Sequence, residues 1–291
     1  MSTSAYKRPL VMVTGANGQL GKELRQLESQ WPQFEFLFLS REDLPIHHFE
    51  LVRNFFKGAH PSFLINCAAY TAVDKAEQEK ELAYQINAEA VGVLAAVCKE
   101  YNCRFIHVST DYVFDGTSSR PYTEEDPTSP QSIYGASKLE GEKQAMALNP
   151  DSVIIRTSWV YSSFGNNFVK TILRLLQEKP LVKVVGDQVG SPTYAADLAK
   201  AILQIVSIDN WKSGVYNYSN EGVISWCTFA KAIAELTGSA TPIQAIPTAE
   251  YPTPAKRPAW SVLDKSKIKA VYGLEIRDWK DALKDCLALL K

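Results

Sequence analysis

Apolar positions along the chain come in two rhythms. Short, mostly apolar runs at 10–14, 34–39, 63–70, 104–108, 153–161, 182–185 and 215–218 have the length of strands buried on both faces. Between them the spacing changes to a helical one. Leu82, Ile86, Ala90, Val93, Leu94 and Val97 recur at three- and four-residue steps, and further helices are expected over about 167–177 and 198–205. A helix start is expected where Tyr134 and Lys138 stand four residues apart, which puts both on one face. Strands alternating with helices predict an α/β fold with a doubly wound parallel sheet. Past Asn220 the pattern loosens. Pro242, Pro247, Pro252, Pro254 and Pro258 break up 241–260 into a loop-rich stretch, which suits a smaller lobe that covers a substrate.

At 291 residues and 46% hydrophobic content, the chain has material for one large domain or two modest ones. Lys and Arg number 31 and Asp and Glu 32, a net charge of −1, so no overall field points to nucleic acid or a membrane surface. Small anionic ligands in a local basic pocket fit this balance better than polyanions. Cys67, Cys98, Cys103, Cys227 and Cys286 are odd in number, scattered and mostly flanked by apolar residues, as reduced cytosolic thiols are. They form neither a CxxC pair nor a zinc spacing. No apolar run reaches bilayer length, and the polar leader at 1–7 lacks the core of a signal peptide, so the expected location is cytoplasmic.

Candidate chemistry gathers at the strand ends. Gly15-Ala16-Asn17-Gly18-Gln19-Leu20-Gly21 follows the first strand at once and precedes a helix, the context in which a glycine turn admits a pyrophosphate to the helix amides. Its spacing is GxxGxxG, not GxGxxG, and a purely structural turn is the competing reading. The second strand ends in Ser40-Arg41, where an acid would favour NAD and an Arg accommodates the 2′-phosphate of NADP. NADPH is favoured, with NADH left open by the acids Glu42 and Asp43 that follow. Small residues after the third strand, Ala68 and Ala69, leave room for a cofactor to cross. Asn87 reads equally as an interior contact or an exposed amide. Thr110, after the fourth strand, either caps a turn or holds a carbonyl oxygen near Tyr134. A tyrosine titrates near pH 10, so Tyr134 needs a neighbouring charge to act as acid or base, and Lys138 can supply it.

The glycine turn, Ser109-Thr110-Asp111-Tyr112-Val113-Phe114 and Tyr134-x-x-x-Lys138 together resemble the extended short-chain dehydrogenase/reductase family. The segments at 66–77, 156–161, 165–168, 187–193 and 251–258 narrow the likeness to the branch that reduces the 4-keto group of dTDP-linked 6-deoxysugars. The likeness runs from about Leu10 to the final helix. It implies a Rossmann-type NADP-binding domain at 1–161, completed by about 194–220, and a C-terminal substrate-binding lobe from 162–193 and 221–291. It also implies Tyr134 as proton donor, Lys138 as its modulator and ribose ligand, and Thr110 as the hydroxyl that orients the carbonyl. Gly15, Gly18, Gln19, Leu20, Gly21, Ser40, Arg41, Ala68, Ala69, Tyr70 and Val108 would line the cofactor. Asp111 and Trp159 would contact the sugar nucleotide, with Asn167, Gln188 and Arg257 as further substrate-side residues.

Two positions depart from the pattern. Pro45 stands where relatives often carry Asp beside the adenosine. Relatives that bind magnesium use acidic residues at a dimer contact, but here only Glu23 matches and Ala196 takes a second such position, so no metal is expected. The resemblance admits a homodimer. It also leaves open a sugar-nucleotide epimerase with retained NAD, and a non-catalytic protein akin to the regulatory subunit of methionine adenosyltransferase.

Overall fold

The protein is described from a computed structural model over residues 8–290, and the polar leader at 1–7 lies outside the described residues. β1 (Leu10–Thr14), β2 (Glu35–Leu39), β3 (Phe63–Asn66), β4 (Arg104–Thr110) and β5 (Val153–Thr157) join the strand Gly214–Tyr218 in one sheet. The order is β2, β1, β3, β4, β5 and then Gly214–Tyr218, and every pairing is parallel. After β2 the chain crosses back to add β3 on the other side of β1. The winding therefore reverses between β1 and β3, which opens a crevice at the carboxyl ends of those strands.

Successive side chains of a strand point to opposite faces, and both faces of this sheet are covered, which is why the runs are mostly apolar instead of alternating. Val11, Val13, Ile65, Ile106 and Ile155 pack against α1 (Gln19–Leu27) and the helix Ala195–Ser207, through Leu20, Leu24, Leu198 and Ile202. Met12, Leu64, Phe105 and Ile154, each one residue out of phase, pack against the helices Phe49–Ala59 and Ala90–Glu100. A separate core forms among the helices Phe168–Glu178, Trp226–Thr237 and Trp279–Ala288 with the paired strands Val182–Val185 and Ile243–Ile246.

Three stretches differ from the sequence pattern. The third run is a strand only over Phe63–Asn66, after which the chain leaves the sheet. The fifth run breaks after Thr157, and Val160–Tyr161 pairs instead with Thr193–Tyr194. Ile243–Ile246, inside the proline-rich stretch, is a short parallel strand that Pro242 and Pro247 bracket but do not interrupt. The helix Ser266–Tyr272, within the stretch expected to build the lobe, packs on the sheet through Ile268 and Tyr272. No helix among the described residues is long and apolar enough to cross a membrane.

Candidate active site

The glycine turn leaves β1 directly. Gly15 has φ 70°, and a Cβ there would lie 2.6 Å from the Ala68 amide nitrogen, so only glycine lets the turn rest on the end of β3. α1 begins at Gln19 with Gly18 as N-cap and no side-chain cap bond. Its first amides and the positive end of its dipole are thus available to an anion.

A cleft of about 830 Å³ includes this turn. Gly15, Gly18, Gln19, Leu20 and Gly21 line it, as do Ser40 and Arg41 from the end of β2 and Ala68, Ala69 and Tyr70 from the loop after β3. Val108, Thr110, Asp111, Tyr134, Lys138 and Trp159 complete the set that the sequence placed there. Asn167, Gln188 and Arg257 do not line the cleft, although Asn167 and Arg257 bond to Gln19 and Tyr112, which do. Asn167 caps the helix Phe168–Glu178 and donates to Gln19 Oε1 at 3.0 Å. Gln188 donates to Thr248 Oγ1 at 3.1 Å, and Arg257 pairs with Asp74 at 2.7 Å and donates to the Tyr112 hydroxyl at 3.2 Å.

Tyr134 and Lys138 lie on the helix Ile133–Leu148, whose N-terminus is capped by Ser132 Oγ accepting from the Gly135 amide at 3.2 Å. A Cβ at Gly135 would come within 2.2 Å of the Tyr112 carbonyl oxygen, so this glycine seats the helix directly on the segment after β4. The Tyr134 ring there meets Tyr112 edge-on at 5.6 Å. Thr110 takes the capping role read from the sequence. Its Oγ1 caps the turn Asp111–Val113 by accepting from the Tyr112 amide at 3.2 Å, and the same hydroxyl faces the Tyr134 phenol in the cleft.

Burial dominates the electrostatics. It pushes the Tyr134 phenol well above its ordinary value, a rise that the Thr110 hydrogen bond opposes and the nearby Asp111 and Tyr112 reinforce. Lys138, 1% exposed, is pushed down to about 8 by burial, against the pull of Glu142 and Cys67. Both bonds of its Nζ run into β4: it donates to the Val108 carbonyl at 2.7 Å and meets His107 Nε2 at 3.0 Å. Burial also raises the Asp111 carboxyl to about 6.

Several residues of the site escaped the sequence reading. His107, Asn66 and Thr14 are neighbours in register across β4, β3 and β1 and sit fully buried beneath the cleft. Their signal was present as one polar residue near the carboxyl end of each apolar run. Trp226 stacks face to face on Trp159, with ring centroids 3.5 Å apart, and nothing local marks that pairing. Asn87, left open above, is an interior contact. Its Oδ1 accepts from the Tyr70 amide at 2.8 Å, and its Nδ2 donates to the Tyr70 carbonyl and to Ser137 Oγ at 3.0 Å each. This ties the loop after β3 to the helix that carries Tyr134 and Lys138. Among the described residues, no group of three or more His, Cys, Asp or Glu side chains could hold a metal ion.

A family model described as the RmlD substrate binding domain matches residues 9–291. The chain belongs to that family. It is 42% identical over 288 residues to a dTDP-4-dehydrorhamnose reductase of Aggregatibacter actinomycetemcomitans, covering 96% of this chain and 98% of that one. A crystal structure of a dTDP-4-dehydrorhamnose reductase from Clostridium acetobutylicum superposes with a TM-score of 0.93 at 43% identity, covering 97% of this chain and 99% of the other. A reductase of the same name from Bacillus anthracis, solved in complex with NADP, gives a TM-score of 0.93 at 36% identity, with coverage of 97% and 99%. The fold is thus that of the Rossmann-type reductases in the extended short-chain dehydrogenase/reductase family.

Proposed function

We propose that this chain reduces the 4-keto group of dTDP-4-dehydro-L-rhamnose to give dTDP-L-rhamnose, with NADPH as the reductant. The observation that carries this reading is the meeting of Thr110, Tyr134 and Lys138 in the same cleft as the glycine turn. The site fits a dinucleotide: the α1 amides would receive its pyrophosphate, and Arg41 its 2′-phosphate. When bound, NADPH supplies the hydride.

The protein's own residues supply the rest. Thr110 Oγ1, which now donates its one proton to Asp111 Oδ1 at 3.0 Å, would turn that proton to hold the substrate carbonyl oxygen, and Tyr134 would give that oxygen its proton. Burial keeps the phenol protonated at neutral pH, the form a donor requires, and positive charge on Lys138 makes it a better acid. Asp111 and Trp159 would meet the sugar nucleotide, Trp159 being stacked on Trp226 of the second core, which we assign as the substrate lobe. Asn167, Gln188 and Arg257 are further candidates for substrate contact, and each now bonds to another side chain: Gln19, Thr248 and Asp74.

The deciding experiment follows NADPH absorbance with enzymatically prepared dTDP-4-dehydrorhamnose. Stoichiometric oxidation with release of NADP⁺ is the expected result. Turnover of a sugar nucleotide without net redox change would indicate an epimerase, and a protein that binds NADPH but turns nothing over would point to a regulatory subunit.

A further inference from the structure

Thr14 on β1, Asn66 on β3, His107 on β4 and Lys138 on the overlying helix form one buried hydrogen-bonded row. A single backbone group fixes its direction. The Ala68 N–H can only donate, and it meets Asn66 Oδ1 at 3.2 Å, as the Thr14 hydroxyl does at 2.7 Å. The other arm of that amide is therefore NH₂, and it donates to His107 Nδ1 at 3.0 Å. A ring nitrogen that accepts carries no proton, so the one proton of the neutral imidazole sits on Nε2. That N–H faces Lys138 Nζ at 3.0 Å. An ammonium has no lone pair to receive it. A free amine does, and can still donate to the Val108 carbonyl at 2.7 Å.

We infer that His107 is a positioning residue that sets the protonation of Lys138, its Nε2–H aimed by Asn66 and Thr14 so that the row favours the free amine over the ammonium. The inference rests on Lys138 being the modulator of Tyr134. Burial acts in the same direction, holding the His107 ring neutral and bringing Lys138 down to about 8. The other groups around Lys138 do not replace this N–H. Glu142, one turn further along the helix, favours the ammonium but is bonded to Arg156 of β5. Cys67, in the loop after β3, is a half-buried thiol that desolvation pushes up to about 12, and burial keeps the Tyr134 phenol protonated. The charge beside Tyr134 consequently titrates near the working pH, not far above it.

Lysine labelled with ¹³C at Cε reads this titration in the whole protein, the Lys138 resonance being assigned by its loss in Lys138→Met. His107→Gln turns an amide oxygen toward Nζ. His107→Asn keeps a partner for Asn66 and withdraws the N–H. Either variant is expected to raise the Lys138 midpoint by about one pH unit or more, a tenfold gain in proton affinity, while retained NADPH binding reports an intact fold. A midpoint unmoved in the variants that fold, or a wild-type Lys138 titrating at the ordinary lysine value of about 10.4, overturns the inference. The measurement needs no turnover. A raised midpoint in a protein without reductase activity would uphold the role of His107 and remove the proposed reaction.

Discussion

Replacing Tyr134 with Phe removes one oxygen from the cleft and keeps the ring that meets Tyr112 edge-on. A positioned general acid contributes about 10²- to 10⁴-fold in rate, roughly 3 to 5 kcal/mol of barrier, so Tyr134→Phe should lower kcat by that factor and leave the NADPH dissociation constant nearly unchanged. A variant retaining more than about a tenth of wild-type kcat would show that Tyr134 is not the principal acid. The pH profile tests its neighbour. Lys138 is charged below its value of about 8 and neutral above it, and in the proposed mechanism the charged form would make the phenol a stronger acid. Reduction should therefore weaken as pH rises through about 8, whereas an unperturbed lysine would place that limb above about 10. An activity limb at the ordinary lysine value would separate Lys138 from the proton step.

The helix Ile133–Leu148 owes its position to contacts along its whole length. Ser132 and Gly135 seat its first turn, and Glu142 fixes it to β5 through Arg156, whose Nε meets both carboxylate oxygens at 3.1 Å and whose Nη2 meets Oε2 at 2.7 Å. The pair is buried, with side chains 5% and 4% exposed, and Arg156 Nη1 already lacks a partner. Glu142→Ala strands a buried guanidinium and should cost about 3 to 5 kcal/mol in a urea unfolding experiment. It also removes the charge that holds the Lys138 value up, so the alkaline limb should move lower still in whatever fraction stays folded. Loss of stability without movement of that limb would confine Glu142 to a structural role. The break after β5 also belongs to this scale. Trp159 adopts φ 48°, a conformation uncommon for a large residue, and its ring lies flat on Trp226 of another helix. The polar residues Arg156, Thr157 and Ser158 stand at the break, but with Trp159, Val160 and Tyr161 resuming the apolar pattern the run reads as one strand.

Across the whole molecule, the reversal of winding between β1 and β3 places the end of β2 at the cleft and brings Arg41 with it. NADPH at about a hundredfold its dissociation constant should add roughly 2.7 kcal/mol of stability, read as a rise in Tm. Arg41→Ala should weaken NADPH binding and leave NADH binding unchanged; equal losses for both would detach Arg41 from the 2′-phosphate. The strands, the helices and the glycine turn were legible in the chain because each is set by spacing over a few residues: short, mostly apolar runs, three- and four-residue steps, and small residues at a strand end. That Thr110, Tyr134 and Lys138 would share one cleft was legible because each lies in a short local motif. Only the tertiary structure decided the partners of Lys138, the stacking of Trp159 on Trp226 and the pairing of Arg257 with Asp74. Each of these joins segments far apart in sequence, and the hydrogen-bonding state of a buried amine depends on which atoms the folded sheet places opposite it.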